Sequence, residues 1–479
     1  MYSRIFSFVL FCSYCQYSVA RIANQIPGKD GNDTLAKHTY FIINKISIEG
    51  NKITKPGIIY RELLFHENDS IDTNKLKGIL EQSRKNLLNT SLFNFATIDT
   101  LNVHEGKTDI KISVVERWYI WPVPFLQIND RNFNVWWKTK DFYRADYGIN
   151  LDWENFRGRK ESVIVMIRAG FDQTFALSYK IPYINKDKTI GMGISAGYTG
   201  NHEVAYVTQK DVQLSYKDED KYVQQNIFAT FNITYRPDIY NFQIFQVNYN
   251  HYLFSDTLFK LNPHFATNEH VQYFTFYYFF RSDHRDIAAY PLKGYYFDLE
   301  LNKNGFGILK DENLYASYLH TSIRKFWQIH NRWYLASGIN AKLSNNASQP
   351  YFIERGLGYG PNFVRSYEYY VVDGQDYALL KTNLKYELIK TGMKRLKFIP
   401  YKKFSLFYYA VYLGCFVDAG YVDNVNKLET VNNNLPNTGL LGGGLNLDIV
   451  TYYDVVWSVQ YSINKMCQYG LFLHFSAPI

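Results

Sequence analysis

The sequence predicts an all-β transmembrane barrel of about sixteen antiparallel strands preceded by one small α/β domain. Three observations predict it. From residue 119 onward, segments of about 10–15 residues rich in Tyr, Phe and Trp recur between clusters of Asn, Asp, Gly and Pro. Along these segments apolar and polar residues alternate, which places one kind on each face of a strand. The N-terminus carries the features of a secretory leader, so the chain is expected to leave the cytoplasm.

The leader consists of Arg4, the apolar run from Ile5 to Phe11 and the small-residue exit Ser18-Val19-Ala20; residues 1–20 are expected to be removed as a signal peptide. A lipid-anchored reading would need a small residue before an acylated cysteine, but Cys12 follows Phe11 and Cys15 follows Tyr14. Of the four cysteines, only Cys415 and Cys467 lie beyond the leader, which makes no disulfide framework. No apolar run approaches the roughly 18–20 residues of a membrane-spanning helix. Composition also excludes disorder, because 18% of residues are aromatic and only 20% are charged. The basic residues are scattered among tyrosines without a dense run, so nucleic acid is not expected as a partner.

Residues 21–37 are polar, carry Pro27-Gly28 and Gly31-Asn32, and read as a linker. Residues 38–118 read as the α/β domain. Phe41 to Ile48 alternates as a half-buried strand does, and Gly50-Asn51 supplies the turn. Thr54 is placed to cap a helix, Pro56 fits its first turn, and Ile59 and Leu63 lie on one face. A second helix is expected from about Thr73, where Leu76, Leu80 and Leu87 form a stripe with Ser83 between them. Strands around Ala96–Val103 and Asp109–Val115 complete the order β-α-α-β-β.

That order, with Ile46-Ser47-Ile48-Glu49-Gly50-Asn51, Thr54, Arg61-Glu62-Leu63 and Asn89-Thr90-Ser91-Leu92-Phe93, resembles a polypeptide-transport-associated (POTRA) domain. One departure is Glu67-Asn68-Asp69, where the family usually shows Gly-Asp. Asn is the residue after Gly that best tolerates a left-handed turn, so the departure is expected to be neutral.

Residues 119–479 carry the barrel pattern. In one segment Ile227, Ala229, Phe231, Ile233 and Tyr235 alternate with Thr230, Asn232 and Thr234. In another, Val455, Trp457, Val459, Tyr461 and Ile463 alternate with Ser458, Gln460, Ser462 and Asn464. Leu380, Leu384, Tyr386 and Leu388 alternate likewise with Lys381, Asn383, Lys385 and Glu387. A soluble β-sandwich also alternates; the strand number and the leader favour a barrel whose apolar face meets lipid, with aromatic girdles at the two interfaces.

Three further segments carry a resemblance to outer-membrane proteins. The last strand, Gln468-Tyr469-Gly470-Leu471-Phe472-Leu473-His474-Phe475, sets Leu471, Leu473 and Phe475 on one face and resembles a C-terminal barrel targeting signal; read by itself it is an edge strand. Val364-Arg365-Ser366-Tyr367 lies in a Gly-rich stretch and resembles the Val-Arg-Gly-Phe/Tyr tip of the loop that folds into the barrel in outer-membrane assembly factors, with Ser366 where Gly is expected. Serine enters positive φ reluctantly. Phe416-Val417-Asp418-Ala419-Gly420 resembles the Phe-x-Asp-x-Gly element of a late strand in the same superfamily. Strand parity turns Asp418 into the lumen. A lumenal carboxylate needs a partner and a guanidinium offers a two-pronged one, so the resemblance pairs Arg365 with Asp418, with Glu387 as a second acceptor.

Enzymatic readings are poor. Ser282-Asp283-His284 are adjacent, and adjacent strand residues point apart. Gly442-Gly443-Gly444 lacks the Lys-Ser/Thr of a phosphate loop and reads as room for twist or close packing. His264 and His270 have no metal-ligand spacing. No catalytic residue, metal or cofactor is expected.

Taken together, these segments resemble an outer-membrane protein assembly factor of the surface-antigen superfamily, with Glu116-Arg117-Trp118-Tyr119 through Asp130-Arg131-Asn132-Phe133-Asn134 most like Bacteroidetes-type forms. The resemblance implies a barrel in the bacterial outer membrane, a periplasmic POTRA domain, and client outer-membrane or secreted polypeptides, the lipid bilayer and accessory lipoproteins as partners. The implied mechanism is physical: a POTRA strand edge takes up the client by β-augmentation, and a weak seam between first and last barrel strands releases it into the bilayer. A polypeptide-secretion pore of the two-partner kind, or a porin or receptor barrel with a fused periplasmic module, stand as alternatives.

Overall fold

In the computed structural model the described residues are 40–104, 106–128, 137–138, 145–309, 312, 314–345, 349–395, 406–425, 432–451 and 455–475. The leader, the linker and all of Asp130–Asn134 lie outside them. The N-terminal domain runs β1 (Tyr40–Glu49), α1 (Pro56–Tyr60), β2 (Ser70–Asp72), α2 (Thr73–Asn89), β3 (Phe93–His104) and β4 (Lys107–Glu116). A three-residue strand, β2, thus stands between the two expected helices. Its sheet has the order β2-β1-β4-β3, with β1 parallel and β3 antiparallel to β4. Along β4, Thr108, Ile110, Ile112 and Val114 are buried in alternation, and the three apolar ones meet Ile59, Phe65, Leu76 and Leu87 in one core. β3 is the outer edge.

Local chemistry explains the turns. Gly50 adopts φ +91, and a Cβ there would come within 2.0 Å of the Val114 carbonyl, so only glycine fits. Asn51 Nδ2 donates to the Thr54 carbonyl at 3.1 Å. Asn68 adopts φ 71 as a left-handed residue. Asp72, whose carboxylate accepts from Asn74 N at 2.8 Å, caps α2. Thr54 caps nothing: the α1 N-cap is Lys55, and Pro56 follows at the first helical position. Its hydroxyl instead meets the Tyr119 hydroxyl at 3.0 Å and accepts from Asn155 Nδ2 at 2.9 Å, two groups outside the domain.

The barrel begins with β5 (Ile120–Ile128), β6 (Ala145–Phe156), β7 (Glu161–Gly170), β8 (Gln173–Ile181) and β9 (Ile190–Asn201). A hairpin, β10 (Glu203–Gln209) and β11 (Val212–Lys217), leaves the wall before β12 (Gln224–Tyr235) and β13 (Asn241–Phe254) resume it. After the short helix α3 (Asp256–Leu261) come β14 (His270–Asp283), β15 (Gly294–Asn304), β16 (Ala316–His330), β17 (Trp333–Ser344) and β18 (Asp376–Arg395). β19 (Leu406–Asp423), β20 (Leu440–Thr451), β21 (Val456–Asn464) and β22 (Tyr469–His474) end the chain's ladder. Sixteen antiparallel strands pair in sequence order from β5 to β22, the hairpin excepted.

Which face is apolar decides the class of this sheet. Ile227, Phe231, Ile233, Leu380, Leu413, Val417, Trp457, Tyr461 and Ile463 all point outward and are exposed, while Asn383, Lys385, Asp418, Asn446, Asp448, Ser458 and Gln460 are buried inside. A sandwich would bury the first set, because each exposed Å² of apolar surface costs about 25 cal/mol in water. The wall is therefore that of a transmembrane barrel. No helix among the described residues is long and apolar enough to cross a membrane.

The α/β domain is docked on one barrel end. Arg236, in the β12–β13 turn, grips the Glu62 carboxylate at 2.7 and 2.9 Å. Arg61 donates to the carbonyls of Lys188 at 3.1 Å and Arg236 at 2.8 Å, and Lys188 Nζ donates to the Gly57 carbonyl at 2.8 Å. Burial alone pushes the Glu62 carboxyl up, but the Arg236 charge and hydrogen bonds outweigh it and hold the group below its ordinary value of 4.5.

At the opposite end the β10–β11 hairpin reaches loops on the far side of the ladder. Thr208 Oγ1 meets Tyr351 OH at 3.0 Å, Val371 N donates to the Asp211 carbonyl at 2.9 Å, and Asn433 Nδ2 donates to the Thr208 carbonyl at 2.8 Å. Val223, Leu258, Phe265 and Tyr351 pack with it into an apolar cluster. The hairpin therefore bridges this mouth.

Two predictions follow from the register and the docking. Cys415 points outward between Leu413 and Val417, whereas Cys467 sits in the β21–β22 turn at φ 58 and off any strand face. In lipid, Cys415 is expected to react with an apolar maleimide and poorly with a charged one, and Cys467 with both; a Cys415 that prefers the charged reagent shifts the β19 register by one residue. Arg236→Ala is expected to leave a buried carboxylate unpaired and cost about 3–5 kcal/mol of docking, measured as hydrogen exchange of residues 54–62. Because the folded Glu62 pKa is depressed, this contribution is present above pH 4.5 and lost as pH falls further in the wild type.

Candidate functional site: the infolded loop and the terminal strand

The loop between β17 and β18 begins at the end away from the α/β domain and turns back into the lumen. Leu357 and Val372 close its neck with reciprocal backbone bonds of 2.9 Å, and Leu357, Val364, Tyr367 and Val372 pack against Leu379, Val422 and Leu440 of the wall. Its tip meets β19. Arg365 Nε donates to Asp418 Oδ2 at 2.7 Å, Nη2 to Oδ1 at 2.5 Å, and the Arg365 backbone N to Oδ2 at 3.1 Å. Both side chains are shielded, at 1% and 0% exposure, so solvent does not screen the pair.

The neighbours of the pair explain the residues around it. The Phe416 ring lies 3.8 Å beneath the guanidinium carbon as a cation–π base. Gly420 clears space for Val364, whose Cγ2 would stand 2.6 Å from an added Cβ. Gly442 lets the tip cross β20, since a Cβ there would meet the Arg365 carbonyl at 2.0 Å. Tyr367 is buried and donates its hydroxyl to the Leu441 carbonyl at 3.4 Å. Ser366 adopts φ 83, a strained position for a serine, and among the described residues its hydroxyl has no hydrogen-bond partner. Glu387 is not an acceptor for Arg365. It shares the lumenal parity of Lys381, the register partner of Asp418, but lies six residues along β18, on the order of 20 Å away. Its Oε1 accepts from Thr391 N at 3.4 Å instead.

The last strand forms the other half of the site. Leu471, Leu473 and Phe475 are exposed on the outer face, and Phe475 makes an edge contact with Trp457 at 5.1 Å. On the inner face Phe472 is buried and its ring folds over Gly470, where a Cβ would stand 2.8 Å from it. Gln468, in the turn before β22, accepts from Tyr370 OH at 2.9 Å and from Asn464 Nδ2 at 2.9 Å. His474 Nε2 lies 3.3 Å from Glu368 Oε1. Sequence reasoning missed this contact; the signal available was that Glu368 falls three residues after Arg365 and that His474 shares Phe472's face. Ser282, Asp283 and His284 form no triad, because Arg285 occupies the Asp283 carboxylate at 2.8 and 2.6 Å and His284 stacks between Tyr240 and Tyr295.

At the domain end, an apolar pocket of 440 Å³ opens between Leu88 and Phe95 of the α/β domain and Tyr290, Met393, Tyr408 and Tyr412 of the barrel. It lies at the foot of β3, the outer strand of its sheet.

Residues 41–117 match the POTRA family, described as the surface antigen variable number repeat. Among solved structures the chain is similar to BamA from Haemophilus ducreyi lacking POTRA domains 1–3, at 15% identity over 91% of this chain and 84% of that one, with a TM-score of 0.52. It is also similar to CdiB from Escherichia coli, at 9% identity over 96% and 94% of the two chains, with a TM-score of 0.50. A search of the curated proteins finds no match. At these identities the likeness is one of fold: a POTRA domain followed by a barrel built like those of BamA and CdiB. The family match covers the N-terminal domain, and the likeness to the two solved structures shows the fold of the chain as a whole.

If Arg365 and Asp418 act as one shielded pair, changing either to Ala costs about 3–5 kcal/mol, read as the temperature at which the barrel loses its compact gel mobility. The double variant then loses far less than the sum, and strict additivity separates the two residues. Ser366→Gly relieves positive φ without giving up a hydrogen bond and is expected to raise stability by about 1 kcal/mol in the same assay.

Proposed function

We propose that the protein is an outer-membrane assembly factor, with residues 1–20 a removed leader, 21–37 a linker, 38–118 a periplasmic POTRA domain and 119–479 a barrel in the bacterial outer membrane. It receives unfolded barrel polypeptides at the POTRA edge and releases them sideways into the bilayer through the seam between β5 and β22. The observation that carries this reading is the state of the two terminal strands. They end the sixteen-strand ladder, among the described residues no ladder joins them to each other, and β22 is only six residues long. Gly470 adds no side chain to a cross-strand pair there.

Two further features support a lateral route. The infolded loop and its buried ion pair occupy the lumen, and the β10–β11 hairpin bridges the mouth opposite the POTRA domain. Both stand in the way of a plain porin. The apolar pocket at the foot of β3 supports client entry from the domain end: a strand added to β3 by β-augmentation would bring its apolar side chains beside Leu88, Phe95 and Tyr290.

A reversible lock tests the seam. Cysteines are first mapped for crosslinking among Val123, Phe125 and Leu126 on one side and Gly470 and Phe472 on the other, and the best pair is oxidised in protein reconstituted in liposomes. Insertion of a denatured barrel client is expected to stop in the oxidised protein and return on reduction. A secretion pore passes its cargo along the lumen and would be little affected. If the locked protein inserts clients at the normal rate, lateral release is wrong, and the secretion or porin reading replaces it.

A further inference from the structure

The terminal strand has support on one side and from within. β22 pairs with β21 only from Ser458↔His474 to Ile463↔Tyr469, a short ladder at the sheet's end. On its lumenal side the infolded loop meets it at Phe472 and His474 and meets Gln468 just before it. Tyr370 OH donates to Gln468 Oε1, the Tyr369 ring packs on Phe472 at 5.5 Å, and the buried Glu368 carboxylate faces His474 Nε2 at 3.3 Å. Phe363 stacks on the His474 ring at 5.6 Å and carries Lys381 Nζ over its own ring at 4.5 Å. Asn464 Nδ2 donates to the Ser366 carbonyl at 3.2 Å and ties the tip to the turn that starts β22.

We propose that Glu368, Tyr369 and Tyr370 are positioning residues for the terminal strand: the loop pinned at its tip by Asp418 also clasps β22 from inside, so withdrawal of the loop and loosening of β22 are one event. The local backbone makes them one body. Tyr367 N donates to the Val364 carbonyl at 3.1 Å and Tyr370 N to the Tyr367 carbonyl at 2.9 Å, which winds residues 364–370 into a compact coil. A displacement of Arg365 must therefore carry Glu368 with it. Glu368 sits on the loop three residues beyond the anchor, with a side chain only 1% exposed, and faces the last strand at His474. The clasp does not depend on the assembly reading, since it concerns the barrel alone.

The test is hydrogen exchange on the full-length protein in lipid, followed in the peptides spanning 361–370, 469–475 and the β6–β16 wall. Glu368→Gln combined with Tyr370→Phe is expected to raise exchange in 469–475 by at least about tenfold while the β6–β16 peptides stay as in the wild type. Asp418→Ala is expected to raise exchange in 361–370 and in 469–475 together. The exchanged pair Glu368→His with His474→Glu, which restores the contact in reverse, is expected to return 469–475 towards wild-type protection. Unchanged exchange of 469–475 in the first variant overturns the clasp. So does an Asp418→Ala protein whose loop is freed while β22 stays protected, or faster exchange spread evenly through β6–β16, which would make the effect general unfolding. Client insertion is not the readout, so the clasp and the assembly reading can fail separately.

Discussion

The rest of the barrel is organised by a carboxylate that cannot be hydrated. A wall whose outer face is Leu, Val, Ile and aromatic must turn its polar residues inward, and a polar interior is stable only when its charges find partners. Asp418 on β19 is among the carboxylates that are fully buried. Arg365 answers it with both prongs of its guanidinium and its backbone N–H, and that requirement draws a long loop into the lumen. Once the tip is seated, Gly420 and Gly442 must be small, Phe416 must lie beneath the cation, and Ser366 must accept a left-handed backbone. The same insertion brings Glu368 and the two tyrosines after it against the last strand.

The second buried pair has a different consequence. Glu62 and Arg236 belong to separate parts of the chain, and their union is reinforced by Arg61 of the α/β domain and Lys188 on a neighbouring barrel turn. The POTRA domain is thereby held with α1 on the turns, while the 440 Å³ pocket lies between other residues of the domain, Leu88 and Phe95, and the barrel.

Much of this was legible in the linear sequence. Alternation in Ile227–Tyr235 and Val455–Asn464 fixes which residues share a face, because the strand repeat is two residues whatever the surroundings. The Gly50-Asn51 turn, the Leu stripe of α2 and the parity of Asp418 follow from equally local rules. Thr54 shows the limit. Its hydroxyl is a sound cap in isolation, yet Tyr119 and Asn155 from the barrel claim it. The β10–β11 hairpin also carries the same alternating pattern as a wall strand, and only its loop contacts across the mouth set it apart.

The sequence by itself determined the class of element and the face each side chain takes, Asp418 included; the pairing of Arg365 with that carboxylate came from the resemblance. Only the tertiary structure decided that Glu387 stands too far along β18 to share the arginine, and that the infolded loop brings Glu368 to 3.3 Å from His474 on β22. The reason is physical. Periodicity is set by bonds between neighbouring residues, whereas a contact between residues 368 and 474 exists only after sixteen strands have paired in register and the loop has been pulled inward by its ion pair.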